Sequence, residues 1–192
     1  MKGHNLKLLI TDFDGTLVDT FRANYLAYRQ AFSDVGRDLS EETYSACFGF
    51  RFERFMDAAS IEDNDIRSRI KELKATYYPS FFSELKVNKP LLEMLKAFRQ
   101  AGGKTAIAST ARRKNLENAL RYIGAIDAFD LILAGEEVKD GKPSPEIYLT
   151  VLSYFGIQPS DALVFEDSDV GIKSAEAAGI NYIIINSNYY AD

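Results

Sequence analysis

The stretch Asp12-Phe13-Asp14-Gly15-Thr16 directly follows an apolar run at residues 6–11. The run predicts a buried strand, so both carboxylates stand at the carboxyl end of that strand. Like charges this close repel each other, and burying them costs on the order of several kcal/mol unless a cation or donors compensate. The stretch therefore predicts chemistry, with one carboxylate as nucleophile or metal ligand and the other as acid or base.

Short apolar runs recur along the chain and predict five buried strands, at residues 6–12, 104–109, 131–134, 162–166 and 182–186. Apolar residues between the later runs recur at helical spacing. These stripes are Leu91, Leu92, Leu95 and Phe98; Leu116, Leu120 and Ile123; and Ile147, Tyr148, Val151, Leu152 and Phe155. The alternation predicts an α/β fold, a Rossmann-like parallel sheet covered on both faces.

Residues 18–85 have a different sequence pattern, with aromatic-rich helical spacing and no convincing strand. The patterns are Phe21, Tyr25, Tyr28 and Phe32; Phe48, Phe52, Phe55 and Met56; and Ile66, Ile70, Leu73 and Tyr77. We therefore predict an all-helical cap domain over residues 18–86, inserted into a core domain formed by residues 1–17 and 87–192.

Composition excludes several classes of protein. An apolar fraction of 46% and a charged fraction of 27% are ordinary for a soluble globular chain. The net charge of −5 argues against binding to nucleic acid or to an anionic membrane. The single cysteine, Cys47, fits a reducing compartment, and the start of the chain has no signal-peptide pattern. We expect a cytoplasmic protein whose oligomeric state the sequence does not fix, with a monomer favoured.

Polar side chains stand where the predicted strands end: Asp12 and Asp14, Ser109 and Thr110, Lys142, and Glu166 and Asp167. Ligands in open α/β sheets bind outside the carboxyl ends of the strands, so we expect these groups to converge. Clustered carboxylates with one lysine and a hydroxyl suit phosphoryl transfer. Magnesium prefers such oxygen ligands, so we expect Mg²⁺ as the cofactor.

The chain resembles haloacid dehalogenase-like (HAD) superfamily hydrolases with a helical cap, in the subgroup similar to phosphoglycolate phosphatase and β-phosphoglucomutase. The matching motifs are DFDGTLVD at residues 12–19, IAST at 107–110, GKPSPEIY at 141–148 and EDSDVGI at 166–172. They occur in the family's order and span nearly the whole chain. Family members usually continue through further strand and helix after the position of Asn186, so a short sheet edge is expected.

This resemblance implies roles for the residues of the catalytic motifs. Asp12 is implied as the nucleophile that forms an aspartyl-phosphate and as a magnesium ligand. Asp14 is implied as the general acid and base, with its backbone carbonyl on the metal. Ser109 and Lys142 are implied as phosphate-binding groups, with Thr110 as an alternative donor to Ser109. Lys142 would also orient Asp12.

The resemblance also implies the remaining metal, hinge and substrate residues. Asp167 is implied as a direct metal ligand, and Glu166 as a ligand or as a partner that acts through water. Thr16 and Asp19 fall in the family's hinge between core and cap. Arg51 lies two residues after Gly49 in a cap loop that resembles the family's substrate loop, and its guanidinium would suit a second anionic group of the substrate. Arg54 and Lys74 are further candidates for this contact.

These observations predict a magnesium-dependent phosphatase acting on a small phosphomonoester that resembles phosphoglycolate or a sugar phosphate. An acid at Asp14 favours a phosphate ester over the substrates of dehalogenases. Two alternatives stay open: a phosphomutase of the β-phosphoglucomutase type, and a catalytically idle protein that binds a phosphorylated ligand. A nucleotide-binding P-loop at Gly135–Lys142 is excluded, because the loop is one residue too long and Pro143 replaces the required hydroxyl residue.

Overall fold

A computed structural model of the protein describes residues 6–186 and residue 190. Its strands are β1 (Leu8–Thr11), β2 (Val18–Asp19), β3 (Lys86–Val87), β4 (Lys104–Ala108), β5 (Leu131–Leu133), β6 (Ala162–Glu166) and β7 (Asn181–Ile184). Its α-helices are α1 (Phe21–Asp34), α2 (Glu41–Cys47), α3 (Phe52–Ala58), α4 (Asn64–Tyr77), α5 (Lys89–Gln100), α6 (Arg113–Tyr122), α7 (Glu146–Phe155) and α8 (Asp169–Ala177). Over these residues, none of the helices combines the length and the apolarity needed to cross a bilayer.

The main sheet has five strands in the order β5-β4-β1-β6-β7, and every pairing is parallel. Strand β1 lies in the middle, where Leu8 pairs with Lys104 on one side and with Ala162 on the other. All four residues of β1 are buried, as expected for a parallel strand with helices on both faces. The α/β prediction is confirmed, although β1 and β7 are displaced or shortened by one or two residues relative to the predicted runs.

The hydrophobic core of this sheet joins β1, β4 and β6 to the helix α7. Tyr148 is among the largest fully buried side chains of the cluster, together with Leu8 and Ile10. Helix α7 ends at Gly156, whose φ of 64° is in the left-handed region that glycine adopts without strain. The predicted stripe on α7 therefore faces the core, and this packing fixes the segment that precedes the helix.

The chain divides into two compact units, one comprising residues up to Asp19 and from Lys86 onwards, and the other Thr20–Leu85. The short strands β2 and β3 pair with each other in antiparallel fashion and belong to the first unit. The prediction that the segment beginning at residue 18 contains no strand is therefore wrong at Val18–Asp19, because these two residues pair with Lys86–Val87.

The second unit consists of α1 to α4 and the 3-10 segment Tyr78–Glu84, packed around an aromatic cluster. The ring of Tyr44 lies 5.3 Å from that of Phe21 and 5.7 Å from that of Phe55. The aromatic pattern from Phe48 to Met56 is not one helix, because α2 ends at Cys47 and α3 begins at Phe52. Gly49 lies between them with a φ of 84°, which interrupts the helical backbone.

Candidate active site

Three strands of the main sheet bring their carboxyl ends together at one edge. Asp12 follows β1, Ser109 follows β4, and Glu166 is the last residue of β6. The backbone N–H of Asp12 donates to the carbonyl of Phe165 at 3.0 Å, which keeps the two strand ends in register. Among the described residues, the carboxylates of Asp12, Glu166 and Asp167 each offer an oxygen within 4.8 Å of the others. The predicted convergence of these carboxylates is therefore observed.

The Lys142 ammonium is buried within this cluster, with 2% of its side chain exposed. Its Nζ donates to Oδ1 of Asp12 at 2.6 Å, to Oε1 of Glu166 at 2.5 Å and to the carbonyl of Ala108 at 3.0 Å. An ammonium group has three N–H donors, so these three acceptors use its full capacity. In this structure Lys142 therefore orients Asp12, while its predicted contact with phosphate stays a prediction.

The carboxylate of Glu166 is surrounded by donors. Oε1 accepts hydrogen bonds from Lys142 and from the hydroxyl of Tyr148, the latter at 3.0 Å. Oε2 accepts from the N–H groups of Asp167 and Ser168, at 3.0 and 3.2 Å, and from the Ser168 hydroxyl at 3.1 Å. A Cβ added at Gly171 would lie 1.8 Å from Oε1, so any side chain at this position of α8 would have to displace the Glu166 carboxylate.

Asp167 is held from the side of the DFDGT motif. The hydroxyl of Thr16 donates to Oδ1 of Asp167 at 2.8 Å. Gly15 has a φ of 87°, and a Cβ there would lie 2.1 Å from Oδ2 of Asp167. The glycine thus serves two requirements at once, a left-handed turn after Asp14 and room for a carboxylate.

Burial is the largest influence on the pKa values of the three carboxylates, ahead of their charged and hydrogen-bonding neighbours. Burial raises the pKa of Asp12 well above its ordinary value, with Lys142 opposing and the other carboxylates adding to the rise. Burial, opposed by the Thr16 hydroxyl and reinforced by Glu166, raises the pKa of Asp167 to about 6. Burial would raise the pKa of Glu166 as well, but the Lys142 charge and the hydrogen bonds that Glu166 accepts from Lys142, Ser168 and Tyr148 together outweigh burial, and the pKa is lowered. One lysine therefore does not offset all the negative charge at this edge of the sheet.

Ser109 lies beside Asp14, as its position after β4 predicts. Its hydroxyl is 3.4 Å from Oδ2 of Asp14 and accepts a hydrogen bond from the N–H of Ala111 at 3.0 Å. The backbone of Thr110 packs against Gly135, where a Cβ would lie 2.4 Å from the Thr110 carbonyl oxygen. The Ser109 hydroxyl therefore lies next to Asp14, and its role towards phosphate, with Thr110 as the alternative donor, stays a prediction.

The other predicted site residues lie on the periphery of the first unit or in the second. Asp19 is in β2. Arg51 is the exposed N-cap of α3, and its role at a substrate stays a prediction. Arg54 stacks 3.9 Å from the centre of the Phe50 ring, and Lys74 is buried with its ammonium over two tyrosine rings. Both cations thus have structural contacts within the helical unit.

Sequence reasoning missed Tyr148 and Tyr190. The helical stripe of α7 predicts that Tyr148 is buried in the core. In the structure its hydroxyl also donates a hydrogen bond to Glu166. The Tyr190 hydroxyl is buried and has no hydrogen-bond partner among the described residues. Burial and the negative charges of Asp167 and Asp19 raise the pKa of Tyr190. A tyrosine beyond the last predicted strand, outside any motif, carries no signal that would mark it.

Comparisons with known proteins agree with this fold. A model of the family described as haloacid dehalogenase-like hydrolase matches residues 9–185. The chain belongs to this family, and it is therefore a haloacid dehalogenase-like hydrolase.

Relatives narrow the class further. The chain is 34% identical over 185 residues to a phosphorylated carbohydrates phosphatase of Thermotoga maritima, covering 93% of this chain and 84% of that protein. The crystal structure of CbbY from Rhodobacter sphaeroides in complex with phosphate is similar, with a TM-score of 0.83, 25% identity, and coverage of 96% of this chain and 88% of that one. A putative β-phosphoglucomutase from Thermotoga maritima has a TM-score of 0.70 and 30% identity, with coverage of 97% and 92%. These similarities confirm the subgroup that the sequence motifs indicate.

Proposed function

We propose that this hydrolase is a magnesium-dependent phosphatase that cleaves a small phosphomonoester through an aspartyl-phosphate on Asp12. The observation that carries the proposal is the buried ion pair between Lys142 and Asp12. Their atoms lie 2.6 Å apart, beside the carboxylates of Glu166 and Asp167. A carboxylate held by a lysine in this way is oriented for attack, which is a requirement of nucleophilic catalysis.

The donor set fits a magnesium ion. Asp12 and Asp167 offer carboxylate oxygens, and burial and the neighbouring carboxylates raise the pKa values of both. A divalent cation would favour their charged forms. The absence of a side chain at Gly15 keeps open the space beside Asp167. When bound by Asp12, Asp167 and the backbone carbonyl of Asp14, the ion would supply positive charge against the phosphate oxygens. Glu166, whose carboxylate already accepts five hydrogen bonds, would act on the ion from outside this ligand set.

In the first step, a carboxylate oxygen of Asp12 forms a bond to phosphorus while the bond from phosphorus to the ester oxygen breaks. The departing oxygen takes a proton from the carboxyl group of Asp14, so the product leaves as a neutral alcohol. Ser109 Oγ lies 3.4 Å from Asp14 and would contribute a donor for a phosphate oxygen.

In the second step, Asp14, now a carboxylate, takes a proton from a water molecule, and the oxygen of that water bonds to phosphorus. The bond between phosphorus and Asp12 breaks, which releases inorganic phosphate and restores both aspartates. Lys142 holds Asp12 throughout, because its ammonium is tied on its other sides to Ala108 and Glu166.

We assign the substrate to small phosphorylated metabolites, with sugar phosphates and phosphoglycolate-like acids as the leading classes. A relative from Thermotoga maritima is a phosphorylated carbohydrates phosphatase, and one from Escherichia coli, 28% identical over 179 residues, is a fructose-1-phosphate phosphatase. Arg51 is our candidate for a contact with a second anionic group of the substrate. If so, Arg51→Gln raises KM for a doubly anionic substrate and leaves KM for p-nitrophenyl phosphate unchanged.

The test is phosphate release from a panel of sugar phosphates, phosphoglycolate and p-nitrophenyl phosphate, with magnesium and with EDTA. We expect release that requires magnesium and that Asp12→Asn abolishes. Asp169→Asn is the matched control, because Asp169 is an exposed carboxylate beside the same cluster. Failure to cleave any member of the panel, with ligand binding retained in Asp12→Asn, would instead support an idle binding protein.

A phosphomutase is the second candidate, supported by the 30% identity to the putative β-phosphoglucomutase of Thermotoga maritima. Both activities would use the same core residues, so the product distinguishes them. Incubation with β-glucose 1-phosphate is expected to yield free phosphate and glucose. Formation of glucose 6-phosphate without phosphate release would replace hydrolysis by the mutase reaction.

A further inference from the structure

Tyr148 is a fully buried residue of α7 that contacts two members of the charged cluster. Its hydroxyl donates to Oε1 of Glu166 at 3.0 Å. The Lys142 ammonium lies 5.1 Å from the centre of its ring. The Tyr148 side chain thus contacts both partners of the buried ion pair between Glu166 and Lys142. The same lysine also forms an ion pair with Asp12.

Packing does not require this hydroxyl. Phenylalanine would fill the same place in the apolar stripe of α7, whereas a buried phenol must find a hydrogen-bond partner to offset its lost hydration. Here the partner is a buried carboxylate, and hydrogen bonds to charged groups are the stronger class. The contribution of the hydroxyl is therefore directed at Glu166 rather than at the core.

Glu166 is fixed from every side. Two donors hold Oε1, three hold Oε2, and the backbone at Gly171 closes the remaining approach. A carboxylate has about four lone-pair sites, so these five donors saturate it. Saturated in this way, Glu166 acts best as a rigid anion that determines where the ammonium of Lys142 sits.

We propose that Tyr148 is a positioning residue of this hydrolase, which fixes Oε1 of Glu166 so that Lys142 is held against the nucleophile Asp12. The expected effect on kcat rests on the proposed function, in which Asp12 is the nucleophile. Without the hydroxyl, Lys142 is the one side-chain donor left on Oε1 among those described above, so the ammonium is drawn closer to Oε1 and away from Asp12. The nucleophile is then less well oriented, which lowers kcat and leaves substrate binding unchanged.

The experiment is a double-mutant cycle on Tyr148→Phe and Glu166→Gln, read as kcat and KM for a phosphoester that the wild-type protein cleaves. Loss of one hydrogen bond to a charged group predicts a fall in kcat of about 10-fold in Tyr148→Phe, with KM within about 2-fold. In the double variant we expect no further loss beyond that of Glu166→Gln, because Tyr148 acts through Glu166.

Tyr182→Phe is the matched control. It also removes a hydroxyl that donates to a glutamate, Oε1 of Glu176 at 2.7 Å, but on the exposed surface of the same unit. We expect wild-type kcat for this variant. Circular dichroism at the assay temperature verifies that every variant is folded.

Unchanged kcat in Tyr148→Phe, or losses that multiply in the double variant, would overturn the inference. If Tyr148→Phe does not fold, Gly171→Ala tests the same carboxylate, because its Cβ would displace Oε1 from the opposite side. Wild-type kcat in that variant would also count against the inference.

A crystal structure of Tyr148→Phe separates this inference from the proposed function. We expect the distance from Lys142 Nζ to Asp12 Oδ1 to exceed hydrogen-bonding range, whether or not the wild-type protein cleaves phosphoesters. An unchanged distance would refute the positioning role. Lack of activity in the wild-type protein would refute only the proposed reaction.

Discussion

The ammonium of Lys142 and the carboxylate of Asp12 form a hydrogen-bonded ion pair of 2.6 Å, with 2% and 9% of the two side chains exposed. Asp12 comes from the end of the central strand, whereas Lys142 comes from the segment before α7. Burial lowers the pKa of Lys142, whereas the charge of Asp12 raises it. The resulting pKa of Lys142 is well above its ordinary value. The lysine therefore stays charged wherever the protein is folded.

Lys142→Met is expected to lower both stability and activity. Removing one partner of a buried ion pair costs about 3–5 kcal/mol, because Asp12 and Glu166 are left buried without their counter-charge. We also expect kcat for phosphate release to fall at least about 100-fold, since the nucleophile loses its orienting group. Urea unfolding and steady-state kinetics measure the two effects. Lys139→Met, which alters an exposed lysine of the same segment, should match the wild-type protein in both.

Thr16→Val is expected to weaken magnesium binding. The substitution keeps the shape of the side chain but removes the donor that lies 2.8 Å from Oδ1 of Asp167. Loss of such a partner of a metal ligand typically costs about 10- to 100-fold in metal affinity. The magnesium concentration for half-maximal activity should rise by that factor, while Thr150→Val, on the exposed face of α7, should leave it unchanged. An unaltered magnesium titration for Thr16→Val would remove Asp167 from the proposed ligand set.

Gly15→Ala is expected to inactivate the enzyme, because the added Cβ would displace Asp167 as well as strain the backbone. A left-handed φ costs a residue with a Cβ about 1–2 kcal/mol, and here the Cβ would also lie 2.1 Å from Oδ2 of Asp167. Gly156→Ala provides the comparison, because Gly156 has a φ of 64° and nothing within 4 Å of its Cβ. Both variants should lose similar stability on thermal unfolding, but only Gly15→Ala should lose activity. Equal activity in the two variants would show that activity does not depend on the exact position of the Asp167 carboxylate.

Asp130 provides a pH dependence of stability away from the site. Burial alone would raise its pKa, but the N–H of Thr105 and the guanidinium of Arg99 outweigh burial and lower the pKa from its ordinary value of 3.8. A folded-state pKa below the unfolded-state value stabilises the protein at pH above the unfolded-state value. The contribution is lost as the pH falls through the folded-state value.

Asp130→Asn should therefore lower the free energy of unfolding by about 1 kcal/mol at neutral pH, and the difference should disappear at an acidic pH well below 3.8, where the folded-state carboxylate is protonated. Urea unfolding at both pH values measures it. Asp127→Asn, at an exposed carboxylate of the same connection, should show no such pH-dependent difference. A difference that persists at low pH would assign the effect of Asp130 to packing rather than to its charge.

The sequence was sufficient for the fold class and for the convergence of the site, because both depend on local signals. Buried strands leave continuous apolar runs, and parallel strands bring their carboxyl ends to one edge, so Asp12 and Glu166 were predictable neighbours. The break between α2 and α3 was less evident. Phe48 and Phe52 have helical spacing, but the backbone leaves the helical conformation at Phe48, Gly49 and Arg51, between the two helices.

The donors around Glu166 were not predictable from the sequence. A helical stripe indicates that Tyr148 is buried, but the stripe does not say where its hydroxyl points. Gly171 in α8 carries no pattern that indicates a carboxylate against its backbone. These contacts arise from the packing of α7 and α8 on the sheet, which brings together residues that are distant in the sequence.

The central position of β1 has a consequence for biogenesis. This strand is synthesised early, yet Leu8 pairs with Lys104 and Ala162, which leave the ribosome much later. Until then its backbone donors and acceptors are open to other chains, and such non-local pairing makes folding slow. A nascent chain of this protein should therefore depend on chaperones until β6 has emerged.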